Sequence, residues 1–184
     1  QTFSGANTYT GTTAVNAGKL IIDGNQSTAN GAVTVAASAT IGGSGMVGGA
    51  TTINSNGVHS VGSVATGGAD GVGKQTFSSS VTYNTGSIFE WNLAATPSTT
   101  GRGTSYDAVN AASLGSTTGA IFRVVLNGSQ DFSATFWDTD RTWSDIFKTA
   151  DAGSNLSIAS IFSGTVQYYN GGGSTLASIS SPTA

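Results

Sequence analysis

Val33-Thr34-Val35, Ala39-Thr40-Ile41, Met46-Val47, Thr51-Thr52-Ile53 and Val58-His59-Ser60-Val61 follow one another with Gly42-Gly43, Gly48-Gly49 and Asn56-Gly57 between them, and Asn30-Gly31 ahead of the first. β-Branched residues favour extended backbone, while Gly and Asn accept the positive φ of tight turns. The stretch therefore predicts a series of short strands, each too short to form a sheet alone. Such a series fits either a sandwich of antiparallel hairpins or a solenoid whose coils stack in parallel. Repetition favours the solenoid. Gln1-Thr2-Phe3-Ser4 recurs as Gln75-Thr76-Phe77-Ser78, and Thr8-Tyr9 as Thr82-Tyr83, both at an offset of 75 − 1 = 74 positions. That offset holds about three coils of roughly 25 residues.

Side-chain size points the same way. Rungs of a stacked coil lie about 4.8 Å apart, so inward positions suit Val, Ile, Ala and Thr, and corners suit Gly and Asn. Residues 12–66 meet that requirement. From about residue 87 the strands become bulkier, as in Ser87-Ile88-Phe89-Glu90-Trp91-Asn92-Leu93 and Ala120-Ile121-Phe122-Arg123-Val124-Val125-Leu126, and all three tryptophans, Trp91, Trp137 and Trp143, lie there. The expected organisation is a solenoid repeat region over 1–86 and a bulkier β region over 87–184 that continues or caps it, with one continuous core. Trp143, Ile146 and Phe147 have i, i+3, i+4 spacing and Thr142 with Asp145 resembles a capping box, which predicts one helical turn over Thr142–Lys148. The tail from Leu156 to Tyr169 reads as strand, and Gly171-Gly172-Gly173 as a turn.

Composition bounds the partners. Charged residues make up 8% of the 184, with Lys+Arg 6, Asp+Glu 9 and a pI near 4.7, so no basic patch faces nucleic acid. No apolar run approaches the length of roughly 18 residues needed for a membrane span. Cysteine is absent, which removes disulfides, thiolate metal sites and thiol nucleophiles. Gln1 is preceded by no Met, basic segment or apolar leader, and the start reads as processed or truncated.

Phe3-Ser4-Gly5-Ala6-Asn7-Thr8-Tyr9-Thr10-Gly11, followed by Thr12-Thr13-Ala14-Val15-Asn16-Ala17-Gly18-Lys19-Leu20, resembles the autotransporter-associated β-strand repeat, and Ala39-Thr40-Ile41-Gly42-Gly43-Ser44-Gly45 looks like the segment that follows it in such proteins. The resemblance covers residues 3–61. Tyr106-Asp107-Ala108-Val109-Asn110 and Phe136-Trp137-Asp138-Thr139-Asp140-Arg141-Thr142-Trp143 are similar to exported bacterial proteins that carry this repeat and end in a PEP-CTERM sorting tail. The resemblance implies a right-handed parallel β-solenoid (β-helix) displayed outside the cell, linked to adhesion, aggregation or biofilm matrix. It implies no shared catalytic residues.

The candidate chemistry is sparse. His59, the sole histidine, sits in a strand without a nearby Ser or Cys partner or a second His, and reads as a surface or ladder residue. No Gly-x-Ser-x-Gly elbow occurs. Asp138, Asp140 and Asp145, with Asp131 upstream, are open to a calcium loop or to a polar loop with a helix cap, although the Gly and Glu of an EF-hand loop are missing. Glu90, the sole Glu, lies beside Trp91, and Trp91, Trp137 and Trp143 read as core in preference to a sugar platform. Asn25-Gln26-Ser27, Asn127-Gly128-Ser129 and Asn155-Leu156-Ser157 match the glycosylation sequon, and Gly42-Gly43-Ser44-Gly45 reads as a corner in preference to a phosphate loop.

The expectation is a non-enzymatic structural or adhesive protein with no catalytic, cofactor or metal site, which associates with itself head to tail because a stacked coil leaves open edges at both ends unless they are capped, and the first residues show no polar cap. The competing expectation is a carbohydrate-binding module or a degenerate polysaccharide-active β-helix. That chemistry would require two of Asp23, Asp70, Glu90 and Asp107 to meet within about 5–10 Å.

Overall fold

The computed structural model describes residues 1–62, 71–116, 118–127, 133–159, 161–162, 166–170 and 175–179. Two sheets account for nearly all of the regular structure. The first contains, in spatial order, β1 (Thr2–Phe3), β3 (Gly18–Ile22), β6 (Ala39–Gly43), β9 (Val58–Val61), β11 (Ile88–Leu93), β13 (Ile121–Leu126), β15 (Val166–Asn170) and β16 (Thr175–Ile179). The second runs through β14 (Phe147–Lys148), β12 (Ala108–Ser116), β10 (Lys74–Tyr83), β8 (Thr51–Ile53), β5 (Val33–Val35) and β2 (Thr13–Val15), with β4 (Asn25–Gln26) and β7 (Met46–Val47) alongside. Every strand pair is parallel except β15 with β16. The chain thus is all-β, alternates between the sheets, and places each new strand beside the one laid down a pass earlier.

The strands read from β-branched patterning stand where expected. Val33–Val35, Met46–Val47, Thr51–Ile53 and Val58–Val61 are all strands. Gly42-Gly43 is not a turn: both residues end β6, and the bend falls at Ser44-Gly45. Gly43 leaves the strand at φ +108°, and between β8 and β9 Asn56 supplies the positive φ, at 60°.

The expected even spacing of roughly 25 residues gives way to short steps early in the chain and longer ones late. One column of partners across the first sheet is Leu20, Ile41, His59, Phe89 and Phe122, so the step is 59 − 41 = 18 residues between the second and third and 122 − 89 = 33 between the last two. The extra length goes partly into longer strands and partly into connections such as residues 94–107. β10 alone pairs with both β7 and β8, taking Thr76-Phe77 to Met46-Val47 and Val81–Tyr83 to Thr51–Ile53. The two copies of Gln-Thr-Phe-Ser do not stack, because the first lies in β1 of one sheet and the second in β10 of the other. Their shared sequence reflects a shared need for extended backbone with an inward Phe, and each sheet offers that.

The buried apolar side chains form one cluster that runs from Val15 to Ile161. It thickens along the chain. Aliphatic Leu20 and Ile41 give way to Phe89, whose ring lies 5.5 Å from Phe122, 4.8 Å from Phe147 and 6.0 Å from Phe162. Bulkier side chains need more covering area, and the longer strands supply part of it.

The predicted helical turn over Thr142–Lys148 is absent. That stretch is irregular until β14, and the only helical segment among the described residues is a 3-10 turn at Thr135–Asp138. Tertiary contacts override the local pattern. The Trp143 ring packs edge-on to Trp91 at 5.3 Å and its Nε1–H donates to Ser98 O at 2.8 Å, while Ile146 O accepts from Val109 N–H and Phe147 pairs with Val109 in β12. A helix would withdraw those backbone groups from the ladder. Of the other expectations, Gly171-Gly172-Gly173 lies outside the described residues, and among the described residues of the tail the strand is Val166–Asn170.

The two ends of the sheets differ. At the late end, β14 carries an antiparallel cover: Leu156 N–H donates to Phe147 O and Thr149 N–H to Ser154 O, with Lys148 bridged to Asn155. The first sheet likewise closes with the antiparallel β15–β16 pair. At the early end, the outer edges of β1 and β2 have no strand partner among the described residues.

Candidate functional site

His59 lies inside the cluster, fully buried. Its Nδ1 is 2.5 Å from the Tyr83 hydroxyl and its Nε2 2.9 Å from Gln75 Oε1, and Gln75 Nε2 donates to Gly42 O at 2.8 Å. The column explains the placement: His59 takes an inward position between Ile41 and Phe89, and the Phe77 ring meets it edge-on at 5.3 Å. Burial among these groups lowers its pKa from 6.5 to about 4, against a smaller raising effect of the Gln75 hydrogen bond. Burial likewise raises the Tyr83 hydroxyl well above its ordinary value. The ladder reading of His59 holds, and the imidazole does not reach the surface as a catalytic base must.

The carboxylates that would have to pair for glycosidic chemistry are each held by different groups. Asp107 is fully buried and accepts from Gly73 N–H, Asn92 N–H and Asn92 Nδ2 at 2.8, 2.9 and 2.7 Å. Asp23 Oδ1 accepts from Ser44 N–H at 3.0 Å, and Glu90 lies 2.8 Å from Arg123 on the neighbouring strand of the outer face. Asp70 lies outside the described residues.

Asp138, Asp140 and Asp145 do not converge. Asp138 ends the 3-10 turn, Asp140 is exposed, and Asp145 turns its main-chain oxygen to Arg102 Nε at 2.6 Å and its carboxylate toward Lys148. Asp131 is not described. Among the described residues no group of three His, Asp or Glu side chains is placed to hold a metal ion.

A charged cluster that the sequence did not reveal surrounds Arg102. Its guanidinium serves Asp145 O, Val109 O, Asn110 Oδ1 and Asp151, and Asp151 also binds Lys74 Nζ at 2.5 Å. Hydrogen bonds from Lys74 and Asn110 hold the Asp151 carboxyl below its usual range, with smaller attractions from both cations. Its members come from four separate stretches of chain, so no local motif could have exposed it. The cluster fastens the loop beyond β14 to the second sheet.

Trp91 is buried and donates to Asp107 O at 3.0 Å, while Trp143 and Trp137 are partly buried against the same core. They stand as core residues. Along the outer side of β4, β7 and β10 runs a shallow depression lined by Asp23, Asn25, Ser44, Met46, Lys74 and Thr76.

The open early end is the remaining feature. Ile21 N–H donates to Gln1 O and Asp23 N–H to Phe3 O, so Gln1 and Phe3 face β3 and the backbone of Thr2 faces outward. In β2, Thr13 N–H donates to Ala32 O and Val15 O accepts from Ala36 N–H, which leaves the Ala14 N–H and C=O on the open side. Between these edges lies a hollow of mixed lining, with Phe3, Val15 and Leu20 beside Thr13, Asn16 and Lys19. No helix among the described residues is long and apolar enough to cross a membrane. Comparison with protein-family profiles, with curated proteins and with solved structures finds no match.

Proposed function

We propose that the chain is a right-handed parallel β-solenoid that serves as an extracellular structural and adhesive element of a bacterial surface or matrix, joining copies of itself head to tail. The observation that carries this reading is the asymmetry of the ends: unpaired strand edges around a hollow at β1 and β2, against antiparallel segments at the late end. An unpaired edge is a template for another strand. At the late end β16 supplies an edge with no described partner, and a contact between unlike edges repeats into a filament. Alternation between two parallel sheets supports the solenoid, and the resemblance of residues 3–61 to the autotransporter-associated repeat supports the handedness and the location.

Electron microscopy and analytical ultracentrifugation of the wild type and of a Thr2→Pro, Ala14→Pro double variant test the reading. Both prolines remove N–H groups that bond nothing in the fold and face the open side. Linear assemblies are expected from the wild type and not from the variant, with unchanged circular dichroism. Uniform wild-type monomers at high concentration would refute self-association.

The second reading is carbohydrate binding in the depression beside β7, favoured by its lining of hydrogen-bonding side chains, Asp23, Asn25, Ser44, Lys74 and Thr76. Titration with surface polysaccharides, compared between wild type and Asn25→Ala, tests it.

A further inference from the structure

Proton bookkeeping around His59 leads beyond assembly. Gln75 Nε2 is committed as donor to Gly42 O, so Gln75 presents Oε1 to the histidine and accepts. A neutral imidazole has one N–H, which must therefore sit on Nε2. Nδ1 is then an acceptor, and the Tyr83 hydroxyl is its donor. The result is a directional chain, Tyr83 O–H to His59 Nδ1, His59 Nε2–H to Gln75, and Gln75 N–H to the Gly42 carbonyl. Its members lie in β6 and β9 of the first sheet and β10 of the second.

We infer that this chain is an acid-sensitive latch between the two sheets, closed while the imidazole is neutral and opened when it takes up a proton. A second proton on the ring would occupy Nδ1, and Nδ1–H cannot accept from Tyr83. The hydroxyl would have to reverse, and a full positive charge would stand in an apolar interior. Among the described residues, the groups that bond or stack on the ring are Gln75, Phe77 and Tyr83 from β10 and Phe89 from β11, none of them a carboxylate that could balance that charge. Tyr83 is the one titratable side chain among them, and burial keeps it neutral.

The sign follows from burial. In the unfolded chain the ring takes up its proton near 6.5, and in the fold only near about 4. The group's contribution is complete above about 6.5, falls as pH drops through that window, and is gone below about 4. Within the window the ratio of folded to unfolded protein should fall up to about tenfold for each pH unit. Asp151, whose carboxyl is held below its usual range, acts only at still lower pH.

His59 is the only histidine, so its nitrogen resonances can be followed in the wild type without ambiguity. The expected spectrum shows the Nε2–H form, unchanged down to about pH 5. Urea unfolding between pH 7 and about 4 should show a loss of stability that a His59→Gln variant, which cannot titrate, lacks. A native ring that titrates near 6.5, an Nδ1–H form, or equal pH dependence in both proteins overturns the latch. If His59→Gln does not fold, the wild-type titration decides alone.

Discussion

Asp107 shows how a residue's meaning depends on its surroundings. As a letter it is a candidate acid for sugar chemistry. In the fold its carboxylate gathers Gly73 N–H, Asn92 N–H and Asn92 Nδ2, binding the entry to β10, strand β11 and the start of β12. Its donors are 34 and 15 positions away, so no local spacing could reveal them. Each buried donor left without a partner costs about 1–3 kcal/mol, and Asp107→Ala should lower the unfolding free energy by about 3 kcal/mol or more, with Asp107→Asn milder. Urea titration checks this, and a loss under about 1 kcal/mol would mean that the donors find other acceptors. His59 teaches the same lesson, since the lack of a Cys or a second His was legible and its Tyr83 and Gln75 partners were not.

At the scale of elements, strands were read well wherever the cause is local. Runs such as Val33-Thr34-Val35 and Ile121–Leu126 combine β-branched or aromatic residues with Gly or Asn boundaries, and they are strands in the fold. Thr142–Lys148 was misread because its apolar spacing suits a helix, while Trp91, Ser98 and Val109 offer its side chains and backbone stronger partners. Corners depend on stacking. A Cβ on Gly49 would lie 1.8 Å from Gly31 O, and one on Gly31 would lie 1.9 Å from Gly11 O, so backbone passes directly over backbone. Gly49→Ala should therefore cost about 2 kcal/mol or more by overpacking. Gly5, with nothing within 4 Å of its Cβ position, should accept Ala with a change below about 0.5 kcal/mol. Thermal unfolding of the two variants provides the comparison, and equal shifts would contradict the stacking account.

For the whole molecule, low charge governs how association should respond to solvent. Only 8% of residues are charged, and the proposed contact consists of backbone edges around a hollow whose one charged lining residue is Lys19. Association should hardly weaken between about 0.05 and 0.5 M salt, since screening acts on charged pairs. Sedimentation over that range measures it, and a steep loss would place the contact on charged side chains instead. A bulkier second half that continues or caps the stack was expected, but not that β14 would gain an antiparallel neighbour while β1, β2 and β16 keep edges without a described partner. The sequence by itself determined that the chain would be all-β, where many short strands would lie, and that apolar bulk would increase after residue 87. These properties follow from residue-by-residue conformational preference and from side-chain volume. Only the tertiary structure decided which sheet each strand joins, that the two Gln-Thr-Phe-Ser copies part company, which partners surround His59, and which end stays open. Those are matters of hydrogen-bond register between segments distant in sequence, and a strand's own residues do not specify which edge it will meet.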